Sequence, residues 1–250
     1  MKRKHAVFAA AALAVLVAAS ITAVVVHRDA GHVISGAEFD TLLPSDTVSD
    51  WVSYADYVVE AEATSDTKLP PTDPELQDGE GLSIRMVSMT VQSVVWRSAS
   101  PTHQLPSTFS LPSGGWSFHK GQPDVPFRMA DVAQLEIGHT YLLPLVYVVT
   151  ISDWNTPGPF SVLPFDSQVV GHGETILGST GFPINPMAEL GSARAELWNR
   201  GLSQVKTVLE STKPNSIAAQ YPELSPVERY RKVAEEANRL NPAKPGPGEK

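Results

Sequence analysis

An almost unbroken apolar segment near the N-terminus sets the topology that this chain is able to adopt. Residues Ala6 to Val26 are apolar except for Ser20 and Thr22. As a helix this segment is roughly 31 Å long, which matches the hydrocarbon core of a bilayer. We therefore expect residues 1–28 to form a cytoplasmic tip and a transmembrane signal-anchor.

The charges on either side of the apolar segment predict its orientation. Three basic residues occupy positions 2–4, whereas Arg28 is the one basic residue that follows closely. Basic flanks stay in the cytoplasm, so we expect a single-pass protein with its N-terminus inside and its folded domain extracytoplasmic. A cleaved signal peptide is the alternative, because small residues lie at 18–20, although its apolar region is normally about 7–15 residues long. In that alternative the domain is secreted.

The absence of cysteine narrows the possible chemistry. It excludes a disulfide framework, a thiolate zinc site, a cysteine nucleophile and an acylated cysteine. Membrane attachment therefore depends on the apolar segment. The remaining chain of about 220 residues is long enough to be stabilised by burial alone.

The net charge of the exported part is strongly negative. All four basic residues of the first 28 positions lie on the flanks of the apolar segment, and the rest of the chain has 15 basic and 27 acidic residues, a balance of −12. Phosphate binding needs clustered Lys and Arg, so we expect no nucleic-acid partner. Nothing in the sequence predicts a cofactor.

Apolar periodicity divides the exported part into a β-rich region and a helical region. Strand patterns fall at 57–64, 83–96, 108–111, 135–149, 160–163 and 168–176, after a short amphipathic helix capped at Ser45-Asp46. The second strand is expected to be bulged because its alternation slips, and Pro144 requires a sheet edge or a bulge. Loops are predicted at 65–81 and 112–131.

Helical patterns follow at 188–209 and 225–240. Ser225, Pro226 and Glu228 combine an N-cap, a first-turn proline and a capping-box glutamate. The Pro- and Gly-rich tail cannot bury apolar surface and should be disordered. The predicted divisions are a linker at 29–45, a barrel domain with a short leading helix at 46–185, C-terminal helices at 186–240 and the tail at 241–250.

The order of these elements resembles a known domain type. A helix, a strand opening with Ala55–Ala61, a partner strand ending Val94–Trp96, then Thr108–Leu111 and Leu135–Leu143 are similar to netrin and tissue-inhibitor type (NTR) domains. That resemblance covers Ala55 to Val149.

It implies an α+β fold, an OB-like or NTR-like antiparallel β-barrel with C-terminal helices, preceded here by the transmembrane helix. The family's disulfides are absent. Zinc chelation by an N-terminal cysteine has no counterpart, so the resemblance implies a fold without an inherited site.

An aromatic sequence between glycines is the candidate ligand-binding site. Trp116, Phe118 and His119 follow Gly114 and Gly115 in the predicted loop. Aromatic residues on loops provide large contact area at low entropic cost, which favours binding. The alternative is that Trp116 and Phe118 fold back and plug one end of the barrel.

The glycine-rich region 171–181 offers a second possibility, an enzyme. A hydrolase would use Ser179 as nucleophile and His172 as base, with Asp153 or Asp166 orienting the base. The Gly-Ser-Thr-Gly spacing is not the Gly-x-Ser-x-Gly elbow.

The histidines show none of the short spacings that zinc ligands usually have in sequence. A metal site would therefore have to be assembled in space, and His119, His172 and Glu174 are the candidates for it. We favour a non-enzymatic binding or interaction module of the cell envelope, with a small ligand or an envelope protein as partner. The alternative is an extracytoplasmic hydrolase or metal-dependent enzyme.

Overall fold

The computed structural model describes residues 32–34 and 42–240 of the chain. In that part of the chain eight strands and five α-helices occur, with three short 3-10 helices at Pro159–Ser161, Asp166–Gln168 and Ala218–Gln220. In chain order the strands and α-helices are β1 (His32–Ile34), α1 (Val48–Tyr54), β2 (Tyr57–Lys68), α2 (Asp73–Asp78), β3 (Glu80–Arg97), β4 (Thr108–His119), β5 (Val125–Met129), β6 (Thr140–Val148), β7 (Asp153–Asn155), β8 (Leu163–Pro164), α3 (Ala193–Leu197), α4 (Leu202–Ser211) and α5 (Pro226–Leu240).

All eight strands belong to one curled sheet. The order is β1-β5-β4-β3-β2-β6-β7, with β8 paired to β6 beside β7. Every pairing is antiparallel except that of β1 with β5. β4 and β7 contact each other although three strands separate them in the order, so the sheet closes into a half-barrel. The predicted α+β, barrel-like architecture is confirmed at this level.

Bulges explain the curl. The pairing of β2 with β3 shifts register three times, and the pairing of β3 with β4 shifts once, between Ser83 and Arg85. At that shift Gly114 and Gly115 stand opposite Ile84. A Cβ on Gly115 would lie 2.1 Å from the Ser83 carbonyl oxygen, so only glycine fits. Bulges bend a strand and increase its twist, and the predicted bulge in β3 is confirmed.

Pro144 lies on β6 where one side of the strand is unpaired. One edge of β6 pairs with β2, and Pro144 is opposite Val58 there. On the other edge β8 pairs with residues 141–142 and β7 with 146–148, which leaves Pro144 between them. A residue without an N–H is tolerated at this position because no strand needs its hydrogen bond. The prediction of an edge position is confirmed.

The central strands are buried on both faces. Odd-numbered residues of β2 such as Val59 and Ala61 face the hollow of the half-barrel with Tyr141 and Leu143 of β6. Val58 and Leu142 point the opposite way, into a second core formed with α1, α3 and α4. A third, smaller core joins α1, β6 and α5. The helices therefore cover the convex side of the sheet.

Capping boxes mark the starts of α1 and α5, of which only that of α5 was predicted at the right residue. The N-cap of α1 is Thr47, two residues beyond the predicted Ser45: Thr47 accepts a bond from the Asp50 N–H (3.0 Å), and Asp50 accepts one from Thr47 N (2.9 Å). For α5, Glu228 N donates to Ser225 Oγ (3.3 Å) and Glu228 accepts from Ser225 N (3.0 Å). The predicted capping box of α5 is confirmed.

Several predicted loops and elements are wrong. The predicted loop 65–81 contains the end of β2, all of α2 and the start of β3. The predicted loop 112–131 contains most of β4 and all of β5. The predicted strands 160–163 and 168–176 are mostly 3-10 helix and turn, because Ser167, Gln168 and nearby glycines have positive φ. The predicted helix 188–209 is split into α3 and α4 at Asn199, whose φ is 58°.

The predictions of a membrane anchor and of a disordered tail concern residues that the structure does not describe. No helix within residues 42–240 is both long enough and apolar enough to cross a bilayer. The predicted transmembrane segment Ala6–Val26 and the predicted disordered tail 241–250 lie outside the described residues.

Candidate binding site

The three predicted ligand-binding residues lie on a strand rather than on a flexible loop. Trp116, Phe118 and His119 form the end of β4, where Trp116 is opposite Ser83 of β3 and Pro126 of β5. The loop prediction failed because Pro112, Gly114 and Gly115 mark a loop in sequence, whereas here they lie at a bulge within a paired strand.

Trp116 is half-buried. It is therefore neither the freely exposed aromatic nor the fully buried plug of the barrel that the sequence allowed. The ammonium of Lys68 lies 4.9 Å from its ring centroid, a cation–π contact. Lys68 is itself ion-paired with Asp124, in the turn before β5. Trp116 is therefore held by neighbours on β2, β3 and β5.

His119 is exposed at the end of β4. Its Nε2 lies 3.3 Å from the Glu80 carboxylate, directly across the pairing of β3 and β4. Phe118, one residue earlier and half-buried, is opposite Gly81. The three predicted residues thus lie at the C-terminal end of β4, where it pairs with the start of β3.

A largely apolar cleft of about 310 Å³ opens in the hollow of the half-barrel. Its polar lining includes Ser113, Asn155 and Thr156. The apolar side of the lining comprises Leu42, Ile84, Leu111, Pro112, Phe127, Met129, Val132, Ala133, Leu135, Pro157, Pro159 and Val162. A concave, mostly apolar cavity with a few polar groups is typical of a small-molecule site.

The cleft and Trp116 share one face of the sheet. Ser113 pairs with Arg85 and Trp116 with Ser83, and residues two apart on a strand share a face. The cleft wall at Leu111 and Ser113 therefore continues along β4 toward Trp116.

Buried polar atoms without partners gather next to Ser113. Ser113 Oγ donates to the Gln134 carbonyl oxygen (2.5 Å), and Arg85 donates to the same oxygen. Around this contact Ser83 Oγ, Arg85 Nε and Gln134 Nε2 are buried and have no hydrogen-bond partner. A buried polar group left unsatisfied costs about 1–3 kcal/mol. This unused hydrogen-bonding capacity lies behind Ser113, because Ser83, Arg85 and Gln134 do not themselves line the cleft.

Glu174, one of the predicted metal ligands, is deeply buried. Its carboxylate accepts bonds from Tyr141 Oη (2.6 Å) and from the Gln134 N–H (2.5 Å). Burial raises the pKa of Glu174, although both hydrogen bonds act to lower it. Burial and the Glu174 charge raise the pKa of Tyr141. Glu174 therefore anchors residues 171–181 to the barrel.

Asp166 orients a histidine, but not the predicted one. Asp166 Oδ2 lies 2.6 Å from His139 Nδ1, and Asp166 Oδ1 accepts from the Thr140 N–H (2.8 Å). The other ring nitrogen of His139 lies 3.8 Å from the Glu136 carboxylate. Within residues 42–240 no hydroxyl group hydrogen-bonds to the His139 ring, so this pair has the oriented base of a triad without its nucleophile.

The remaining residues of the hydrolase hypothesis stay apart. Ser179 lines a separate polar pocket of about 220 Å³ with Asp131 and Arg194, while His172 is exposed and contacts Asp166 through the backbone. Asp153 is exposed on β7. Among residues 42–240, no group of three or more His, Asp or Glu side chains is arranged to hold a metal ion.

Sequence reasoning missed the cleft because its walls come from distant parts of the chain. Leu111, Phe127 and Val162 read as ordinary core residues, and only the curl of the sheet leaves space between them. The one signal in the sequence was the Gly114-Gly115 pair, which creates the bulge beside the cleft. Comparison of the chain with family models, curated proteins and solved structures gives no match.

Proposed function

We propose that this protein is a membrane-anchored, extracytoplasmic binding module that holds a small amphipathic ligand in the half-barrel cleft. The cleft carries the proposal: its volume of about 310 Å³ is at the lower end of the range for ligand sites, and its lining is mostly apolar. Apolar walls favour an apolar body on the ligand.

The polar end of the cleft favours a ligand with a polar head. Ser113 borders the cleft, and the unpartnered atoms of Ser83, Arg85 and Gln134 surround its contact with Gln134. A polar group on the ligand would meet the polar lining residues Ser113, Asn155 and Thr156, whereas the unpartnered atoms lie behind Ser113 and outside the lining. Trp116, with Phe118 and His119 beyond it, extends the same strand and supplies the outer part of the proposed surface.

The expected topology supports a ligand from the envelope. An anchor at Ala6–Val26 would keep the domain next to a bilayer, where amphipathic molecules are concentrated. We further propose that the half-barrel belongs to the OB-like, NTR-like architecture, in which ligands bind one barrel face and the adjoining loops.

A photoreactive alkyl diazirine with a short chain tests the proposal on the full-length protein in lipid nanodiscs. We expect saturable labelling of peptides that contain Leu111 and residues 127–135, suppressed by excess unlabelled alkyl compound. Met129→Asp places a charge in the wall and should weaken labelling at least about tenfold, because an unpaired charge in an apolar site is costly.

Val125→Asp is the matched control. Val125 lies on the same strand as Met129 and is 50% exposed, but it does not line the cleft. It should label like the wild type, and Met129→Leu should also retain labelling. Labelling that is not suppressed by competitor, or that both aspartate variants reduce equally, would refute the cleft as the ligand site.

A further inference from the structure

A further cavity, apart from the cleft and the Ser179 pocket, lies on the convex side of the sheet among the helices. It has a volume of about 250 Å³, and Trp96, Ser98 and Leu209 contribute to its lining together with the 3-10 helix Ala218–Gln220. Arg229 of α5 also forms part of its wall. This cavity is distinct from the half-barrel cleft, with which it shares no lining residue.

Arg229 is an unusual residue to find in such a wall. It is 6% exposed, and both its Nε and its Nη2 are buried without a hydrogen-bond partner. These two nitrogens form one edge of the guanidinium, whose parallel N–H groups match two oxygens of a carboxylate or phosphate. Arginine stays protonated in proteins, so the cavity wall contains a permanent buried charge.

No carboxylate of residues 42–240 forms an ion pair with Arg229. Burial lowers the pKa of Arg229, and the charge of the buried Asp56 carboxylate partly opposes this by raising it. Asp56 already accepts bonds from Thr102 N and Oγ1 (both 2.8 Å) and from Tyr147 N (3.1 Å). It therefore attracts Arg229 without satisfying its N–H groups.

A second unpartnered polar atom lines the same cavity. Ser98 is 5% exposed, and its Oγ has no hydrogen-bond partner. Glu210, an exposed carboxylate in the lining, lies 3.9 Å from Lys206 one turn earlier on α4, which offsets its charge. Buried charges in proteins are usually paired, because desolvating an isolated one is strongly unfavourable.

We infer that the Arg229 cavity is a binding site for a small oxyanion, of the phosphate or carboxylate class. The Nε–Nη2 edge of Arg229 would bind two of its oxygens, and Ser98 Oγ would donate to the same anion. This site is independent of the cleft ligand, and it joins α5 to the sheet and α4 through the anion.

Calorimetric titration of the full-length protein tests the inference, in nanodiscs of zwitterionic lipid at constant ionic strength. Inorganic phosphate and acetate are the two probes, and chloride is the control salt. We expect saturable binding of at least one probe and a matching increase in melting temperature. Arg229→Met should weaken that binding roughly tenfold to hundredfold, the effect of losing hydrogen bonds to a charged group.

Arg231→Met is the matched control, since Arg231 is an exposed arginine on the same helix. It should bind the probe like the wild type. Ser98→Ala, a small change that preserves folding, should weaken binding several-fold and covers the case in which Arg229→Met fails to fold. The inference would be overturned if neither probe bound saturably. It would also be overturned if Ser98→Ala and Arg229→Met both bound the probe as tightly as the wild type.

Discussion

Trp116→Ala separates the two roles that an aromatic residue at this end of the barrel is able to play. A fully buried Trp removes about 150–250 Å² from water. Trp116 is mostly but not fully buried, so the variant loses roughly 100–150 Å² of burial, worth about 2.5–4 kcal/mol at about 25 cal/mol per Å². The Lys68 contact adds about 0.5–1 kcal/mol, and residual compactness of the unfolded chain subtracts from the sum. We expect a loss of about 2–4 kcal/mol in the free energy of unfolding.

Urea denaturation of the full-length protein measures this loss, provided that the slope m is unchanged. Lys68→Met removes only the cation–π contact and the ion pair with Asp124, and should cost about 1 kcal/mol or less. Trp116→Phe should recover most of the loss. A cost below about 1 kcal/mol would mean that Trp116 is a free surface aromatic, and one above about 4 kcal/mol that it plugs the core; either result refutes the half-buried description.

Two further variants test buried and capping chemistry. Burial raises the pKa of Glu174 in the folded state. The protonated Glu174 side chain therefore contributes its full stabilisation below the unfolded-state pKa of about 4.3, and this stabilisation is lost as pH rises through the folded-state pKa. Glu174→Gln lacks this titration, so its stability relative to the wild type should increase as pH rises above about 4.3. A pH-independent difference in urea midpoints would contradict this. Ser225→Ala should cost roughly 0.5–2 kcal/mol through loss of the α5 cap, with Ser216→Ala as the uncapped control, and equal melting temperatures would contradict the capping role.

The sequence predicted most reliably where local chemistry decides the structure. The α5 cap follows from Ser225 and Glu228 alone, and β2 and β6 follow from dense β-branched and aromatic residues. The end of β4 was missed because glycine and proline normally interrupt a strand, whereas pairing with β3 on one side and β5 on the other stabilises this one. Pairing partners distant in sequence are invisible to local patterns.

The candidate site was predictable only in part. Trp116 stands out in the sequence as an aromatic residue between glycines. Its partial burial depends on Lys68 and Ser83, which lie far away in the chain. The cleft and the Arg229 cavity arise from curvature and helix packing, which no short motif encodes. Asp166 was considered only as an orienting group for His172, whereas its carboxylate contacts His139, which the sequence did not single out.

The short outer strands of the sheet limit how other proteins are able to bind it. Among the described residues, β1 and β7 end the strand order, and each is three residues long. Short edge strands offer few free backbone groups and so protect a sheet from pairing with other chains. The gap at Pro144 cannot donate an N–H to an added strand either. Recruitment of a partner by strand addition at these two outer strands is therefore disfavoured, and recognition there depends on side chains.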